Sequence, residues 1–153
     1  MRIVVHELKY AGRRRAAGRL AEALLEDPAV RVLVETSDVL VPVPLHPRRL
    51  RERGFNQAAL LAAEVAQRAA RPACADALVR RLDTRTQAGL SAAARRKNVR
   101  DAFVVRRRAA VDGRVVTLVD DVLTTGATAL ACARRLEEAG AREVRLLTVA
   151  RVV

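Results

Sequence analysis

Fourteen consecutive residues constrain this chain more than any others: VVTLVDDVLTTGAT, from Val115 to Thr128. Val115 to Val119 is apolar at alternate and intervening positions alike, as a strand buried on both faces must be. It runs directly into Asp120 and Asp121, then into Thr124, Thr125, Gly126, Ala127 and Thr128, where an Ala- and Leu-rich helical stretch begins that reaches Ala139. Strand, polar turn and helix form the building unit of an α/β sheet, whose ligands lie at the carboxyl ends of the strands. Backbone N–H groups and hydroxyls gathered at a helix N-terminus suit a phosphate dianion, and Gly126 lets the backbone come close to it. Asp120 and Asp121 would repel such a phosphate, so their partners are donors: vicinal sugar hydroxyls or metal-bound waters. Either feature alone is an ordinary strand end or helix cap. Together in one turn they point to a ribose 5-phosphate.

The remainder of the 153 residues fits the same class. An amphipathic helix is expected from Gly12 to Glu26, stopped by Asp27 and Pro28, and a buried strand from Asp38 to Val43, opening into a loop, PLHPRRLRERG. A second helix is expected from Phe55 to Ala70, ahead of Pro72, and short strands at Leu78 to Leu82 and Ala102 to Val105. Thr84 to Arg100 keeps no period and reads as a long mobile loop. After Gly140 a last strand follows, Glu143 to Val149. Alternating strands and helices predict a mainly parallel sheet flanked by helices. One domain over 1–153 is expected, with a helical lead-in at 1–30 and a flexible loop at 84–101.

Lys and Arg number 29 against 17 acidic residues, a net charge of +12, and only Lys9 and Lys97 are lysines. The planar guanidinium fork favours phosphate, although a GC-rich genome would leave the same arginine bias. Aromatic residues are Tyr10, Phe55 and Phe103 alone, too few for a platform on which single-stranded bases stack. No helix-turn-helix or other groove-reading motif is evident. Cys74 and Cys132 stand apart, with no spacing for a zinc ribbon or a disulfide framework, which fits a reducing compartment. No apolar run is long enough to span a membrane, and MRIVVHELKY lacks a signal-peptide core. The expectation is a cytoplasmic protein without membrane insertion.

Val115 to Thr128 resembles the phosphoribosyl pyrophosphate (PRPP) signature of type I phosphoribosyltransferases. VPVPLHPRRLRERGFNQ (Val41 to Gln57), TQAGLSAAARRKNVRDAF (Thr86 to Phe103) and, more weakly, LKYAG (Leu8 to Gly12) resemble the ComF family, the competence-associated branch. The resemblance implies the type I phosphoribosyltransferase fold with a long flexible catalytic loop. It implies that Asp120 and Asp121 hold the ribose 2- and 3-hydroxyls and that Thr124, Thr125, Gly126, Ala127 and Thr128 hold the 5-phosphate. Pro44, Leu45, His46, Arg48, Arg49 and Arg53 fall in the place of the pyrophosphate loop. The resemblance also implies that Arg95, Lys97 and Arg100 are catalytic cations of the flexible loop, with Gln87 and Asn98 as further loop ligands. Between Arg80 and Arg108 ten basic residues face only Asp83 and Asp101, which suits an anionic substrate and a departing pyrophosphate.

The implied reaction is displacement at ribose C1 by an unknown nucleophile, with Mg²⁺ carried by PRPP and by water near Asp120 and Asp121, and no metal ligated by the protein directly. Members of the family often begin with a zinc-binding Cys cluster before LKYAG. None stands in this sequence, so no zinc is expected, and the acceptor is not legible. The alternative is a non-catalytic PRPP- or nucleotide-binding accessory protein in DNA uptake, docking DNA or an ATPase partner. The oligomeric state is left open, a dimer included.

Overall fold

The structure is a computed structural model that describes residues 13–82 and 101–151. Helix α1, Arg13–Glu26, stops where the sequence indicates. The pair that stops it also starts a second helix, α2, Pro28–Glu35, which sequence reasoning missed. Asp27 accepts a hydrogen bond from the Ala29 N–H at 2.8 Å, and Pro28 occupies a first-turn position where its missing N–H costs nothing.

Strands β1, Val39–Pro42, β4, Val115–Leu123, and β5, Glu143–Arg151, form a three-stranded parallel sheet in the order β1-β4-β5. The expected parallel α/β architecture is therefore present. It does not absorb every strand, because β2, Leu78–Arg80, and β3, Phe103–Val105, pair antiparallel as a separate ribbon. Each keeps one fully buried residue followed by two half-buried ones. That pattern suits a ribbon packed on one side and not a central parallel strand.

Alternation along the strands feeds two cores. On one face Leu40, Val119, Leu147 and Val149 pack against α1, α2 and α4, Gln57–Arg68. On the other, Val39, Val41, Val116 and Leu118 pack against α5, Ala127–Glu138, and against Leu78 and Phe103 of the ribbon. The amino end of the sheet is closed by polar groups. Ser37 and Thr117, both buried, share a hydroxyl contact of 2.6 Å, and Asp38 accepts from the Val115 N–H at 2.8 Å. The carboxyl end is left to the polar turns described next.

Candidate functional site

Strand β4 continues past Val119, where the sequence placed its end, to Leu123. Asp120 and Asp121 are thus the last polar residues of a paired strand: Asp120 is in register with Thr148 of β5. The strand persists because it stays paired with β5, Val122 opposite Ala150 and Leu123 opposite Arg151, and each carboxylate also serves the N–H beyond it. Asp120 Oδ1 accepts from the Asp121 N–H, and Asp121 Oδ1 from the Val122 N–H, both at 2.9 Å. Asp120 lies on the α5 side, since its charge helps to raise the buried Cys132 thiol above its ordinary pKa, after burial itself. Burial, and then the charge of Asp121, pushes Asp120 up to about 7. A carboxylate held this far from comfort is a common mark of a ligand site.

The turn that follows leaves backbone donors free at the start of a helix. Gly126 stands at the N-cap of α5 with φ 76°, a left-handed conformation that glycine adopts without cost, and no side chain caps the helix. The first helical bond runs from the Leu130 N–H to the Gly126 carbonyl at 2.9 Å, so the donors of Ala127, Thr128 and Ala129 precede it. Ala127 N–H meets only the Thr125 hydroxyl, at 3.4 Å. Thr124 and Thr125 are exposed, and Thr128 is half-buried. Unspent donors at the positive end of a helix dipole await an acceptor from outside.

The turn after β1 lies alongside. Pro42 is in register with Val119, and the Val43 N–H donates to the Val119 carbonyl at 2.8 Å, so the carboxyl ends of β1 and β4 are neighbours. Pro44 is buried and Leu45 half-buried. The segment read as loop contains a short helix, α3, Pro47–Arg53. Its start carries the two features of a helix opening, with His46 Nδ1 accepting from the Arg48 N–H at 3.3 Å and Pro47 in the first turn. Gly54, at φ 75°, ends it. Arg48 pairs with Glu52 at 3.0 Å, Arg49 is half-buried, and Arg53 donates to Gln57 Oε1 at 3.1 Å.

Asn56 and Gln57, to which sequence reasoning gave no role, tie this turn to α4. Asn56 donates to the Val43 carbonyl at 3.0 Å and caps α4 by accepting from the Ala58 N–H. Their signal was an Asn at the head of an apolar-periodic run. Gln87, Arg95, Lys97, Asn98 and Arg100 lie outside the described residues. Of the basic residues flanking that stretch, Arg80 lies over the Phe103 ring at 5.4 Å and Arg107 pairs with Asp76 at 2.7 Å. Among the described residues no group of three or more His, Cys, Asp or Glu is placed to hold a metal ion, and no helix is long and apolar enough to cross a membrane.

A parallel sheet whose central strand ends in paired carboxylates and a threonine- and glycine-rich turn into a helix defines a class: the chain belongs to the phosphoribosyl transferase domain family, whose model matches residues 56–152. Within that class the ComF resemblance holds. The chain is 35% identical to the DNA utilization protein YhgH of Escherichia coli O157:H7 over 99% of its own length and 67% of the relative's, and 33% identical to Competence protein F of Haemophilus influenzae over 90% and 60%. Among solved structures, the glutamine PRPP amidotransferase of B. subtilis, complexed with ADP and GMP, matches with a TM-score of 0.62 and 25% identity, covering 90% of this chain and 26% of that one. A purine phosphoribosyltransferase from Pyrococcus horikoshii shares the fold at 15% identity and a TM-score of 0.55, covering 89% of this chain and 82% of that one.

Proposed function

We propose that this chain binds PRPP with Mg²⁺ at the carboxyl ends of β1 and β4 and transfers the phosphoribosyl group to a nucleophile, releasing pyrophosphate. The observation that carries the reading is the uncapped α5 N-terminus directly after Asp120 and Asp121. Thr124, Thr125, Gly126, Ala127 and Thr128 hold the 5-phosphate through backbone N–H groups and hydroxyls. Asp120 and Asp121 accept from the ribose 2- and 3-hydroxyls. The diphosphate lies toward Pro44, Leu45, His46, Arg48, Arg49 and Arg53, and Arg95, Lys97 and Arg100, with Gln87 and Asn98, are assigned to the same anion by the family resemblance. The donor set fits Mg²⁺ carried by ligand oxygens and by water near the two carboxylates, where it would offset diphosphate charge.

In the transfer, the bond from ribose C1 to the diphosphate oxygen breaks with its electron pair leaving on pyrophosphate, and the nucleophile forms the new bond on the opposite face. Positive charge builds on the ribose as the bond breaks. Nearby carboxylates stabilise it, while the arginines stabilise the departing diphosphate. No protein nucleophile is required, and Cys132 is buried with its thiol pushed upward in pKa. Calorimetric titration with Mg²⁺ and PRPP at moderate salt tests the binding step: the wild type binds, and a folded Asp120→Asn, Asp121→Asn double variant does not. Equal binding by both would refute the assignment.

The relatives' names favour a second reading of the same site, a PRPP- or nucleotide-binding accessory protein in DNA uptake that docks DNA or an ATPase partner through its basic surface. Pyrophosphate release separates the two. Turnover with any amine or nucleobase acceptor selects the transferase, whereas tight binding with no release across such acceptors selects the accessory protein.

A further inference from the structure

Gln57 carries the one buried side-chain nitrogen or oxygen among the described residues that lacks a hydrogen-bond partner, its Nε2. The residue is 3% exposed. The identity of the orphan atom is fixed by its neighbour: the Arg53 guanidinium can only donate, so the amide atom facing it at 3.1 Å is the carbonyl oxygen, and the nitrogen is left over. A buried amide donor without an acceptor is costly, and native structures keep one where something else completes it.

The position narrows what that is. Gln57 opens α4 immediately after Asn56, which grips the Val43 carbonyl, so the amide stands where the end of β1, α3 and α4 meet. The helix between the strand and this amide is weakly anchored. α3 has seven residues and no buried one, and Leu50 is 43% exposed. A segment with so few apolar contacts can shift at low cost. The unpartnered Nε2–H is a donor, so its missing partner is an acceptor, and the Arg53 guanidinium bound to the same side chain favours an anionic one.

We propose that Gln57 makes the turn after β1 selective for a diphosphate: its carbonyl positions Arg53, and its unspent N–H is completed by a phosphoryl oxygen that enters as α3 yields. This deepens the PRPP reading and rests on it. Gln57 acts partly through Arg53 and so is a positioning residue for the diphosphate end, with no part in holding the 5-phosphate at the separate turn before α5.

The test compares Mg²⁺-pyrophosphate with ribose 5-phosphate, by calorimetry, on the wild type, Gln57→Leu and Gln57→Glu, with urea midpoints of the ligand-free proteins. Gln57→Leu is expected to weaken pyrophosphate binding roughly 10- to 100-fold, as loss of a hydrogen bond to a charged group does, and to leave ribose 5-phosphate within about twofold. Gln57→Glu keeps an acceptor for Arg53 but replaces the donor with a carboxylate, and is expected to weaken pyrophosphate further. The ligand-free midpoint of Gln57→Leu should not fall, because the unpaired donor is gone. Equal losses for both ligands, or unchanged pyrophosphate affinity in a folded variant, would overturn the proposal while leaving the PRPP site intact. A wild type that binds neither ligand would overturn both.

Discussion

Replacing Asp120 by Asn should stabilise the ligand-free fold by an amount that grows as pH rises from about 4 to 7 and is full above that window. Burial and the Asp121 charge raise Asp120 from an ordinary 3.8 to about 7. A carboxyl group with a raised folded pKa keeps its proton in the native state while the unfolded chain has already lost it. Between about pH 4 and 7 the native state therefore binds the extra proton, and stability falls as pH rises through that window. Three pH units at 1.36 kcal/mol each put the penalty above pH 7 at about 4 kcal/mol as an upper bound, since the site is half-buried and partly screened. Asn has nearly the same shape, and its Oδ1 still accepts from the Asp121 N–H, so little is lost in exchange. Urea unfolding of both proteins should show Asp120→Asn more stable by about 2–4 kcal/mol at pH 8, with the difference shrinking toward zero near pH 4. A variant that is less stable at pH 8, or a difference that does not change with pH, would refute the electrostatic reasoning.

Ligand affinity should follow the same group with the opposite benefit. An ionised carboxylate accepts from diol hydroxyls more strongly than a carboxylic acid does, so PRPP affinity should rise as pH increases from 6 to 8, through the Asp120 value of about 7, and calorimetry across that range should show a smaller rise in Asp120→Asn, the remainder coming from the ligand's own phosphates. Gly126→Ala should lower the urea-derived stability by about 1 kcal/mol through its backbone alone, since an added Cβ would meet only Leu123 Cδ1 at an ordinary 3.7 Å while φ stays at 76°. Ser37→Ala should cost more than Thr117→Val. Ser37 donates to the Leu33 carbonyl at 2.7 Å and receives the Thr117 hydroxyl, so its loss strands a fully buried donor, a penalty of about 1–3 kcal/mol in denaturant titrations.

The parts of the fold that were legible in the sequence are those in which one period dominates. Val115 to Val119 had to be buried on both faces, and α5 had to follow because its small and apolar residues recur at helical spacing before Gly140. The helices α2 and α3 were not legible because proline carries two opposite messages. Pro28 and Pro47 look like stops, yet each opens a helix whose N-cap, Asp27 or His46, lies one residue earlier. The end of β4 was misplaced for a related reason: charged residues usually leave a strand, and here pairing with β5 carries the strand past them to Leu123.

The same division holds at the site. The turn before α5 was readable as a unit because its acidic, hydroxyl and glycine residues are contiguous. That it lies next to the turn after β1 depends on the pairing of Pro42 with Val119, a contact across more than half of the chain that no local pattern encodes. The strands of the β2–β3 ribbon were legible but their antiparallel pairing was not, because three-residue strands carry too little pattern to reveal their direction. Gln57 was invisible for a different reason. Its importance lies in a hydrogen bond that is absent, and only a three-dimensional count of partners exposes that.

The central claim, that the uncapped turn from Thr124 to Thr128 holds a phosphate, is best tested by following backbone amide resonances of the ¹⁵N-labelled protein during titration with ribose 5-phosphate. Saturable shifts at Gly126, Thr128 and Ala129, whose N–H groups have no acceptor among the described residues, are the expected result, joined by Ala127 as it exchanges its long contact with the Thr125 hydroxyl for the phosphate and by Asp121 as its carboxylate neighbour meets the ribose. Saturable shifts confined to the arginine-bearing helices, with those amides unmoved, would contradict it.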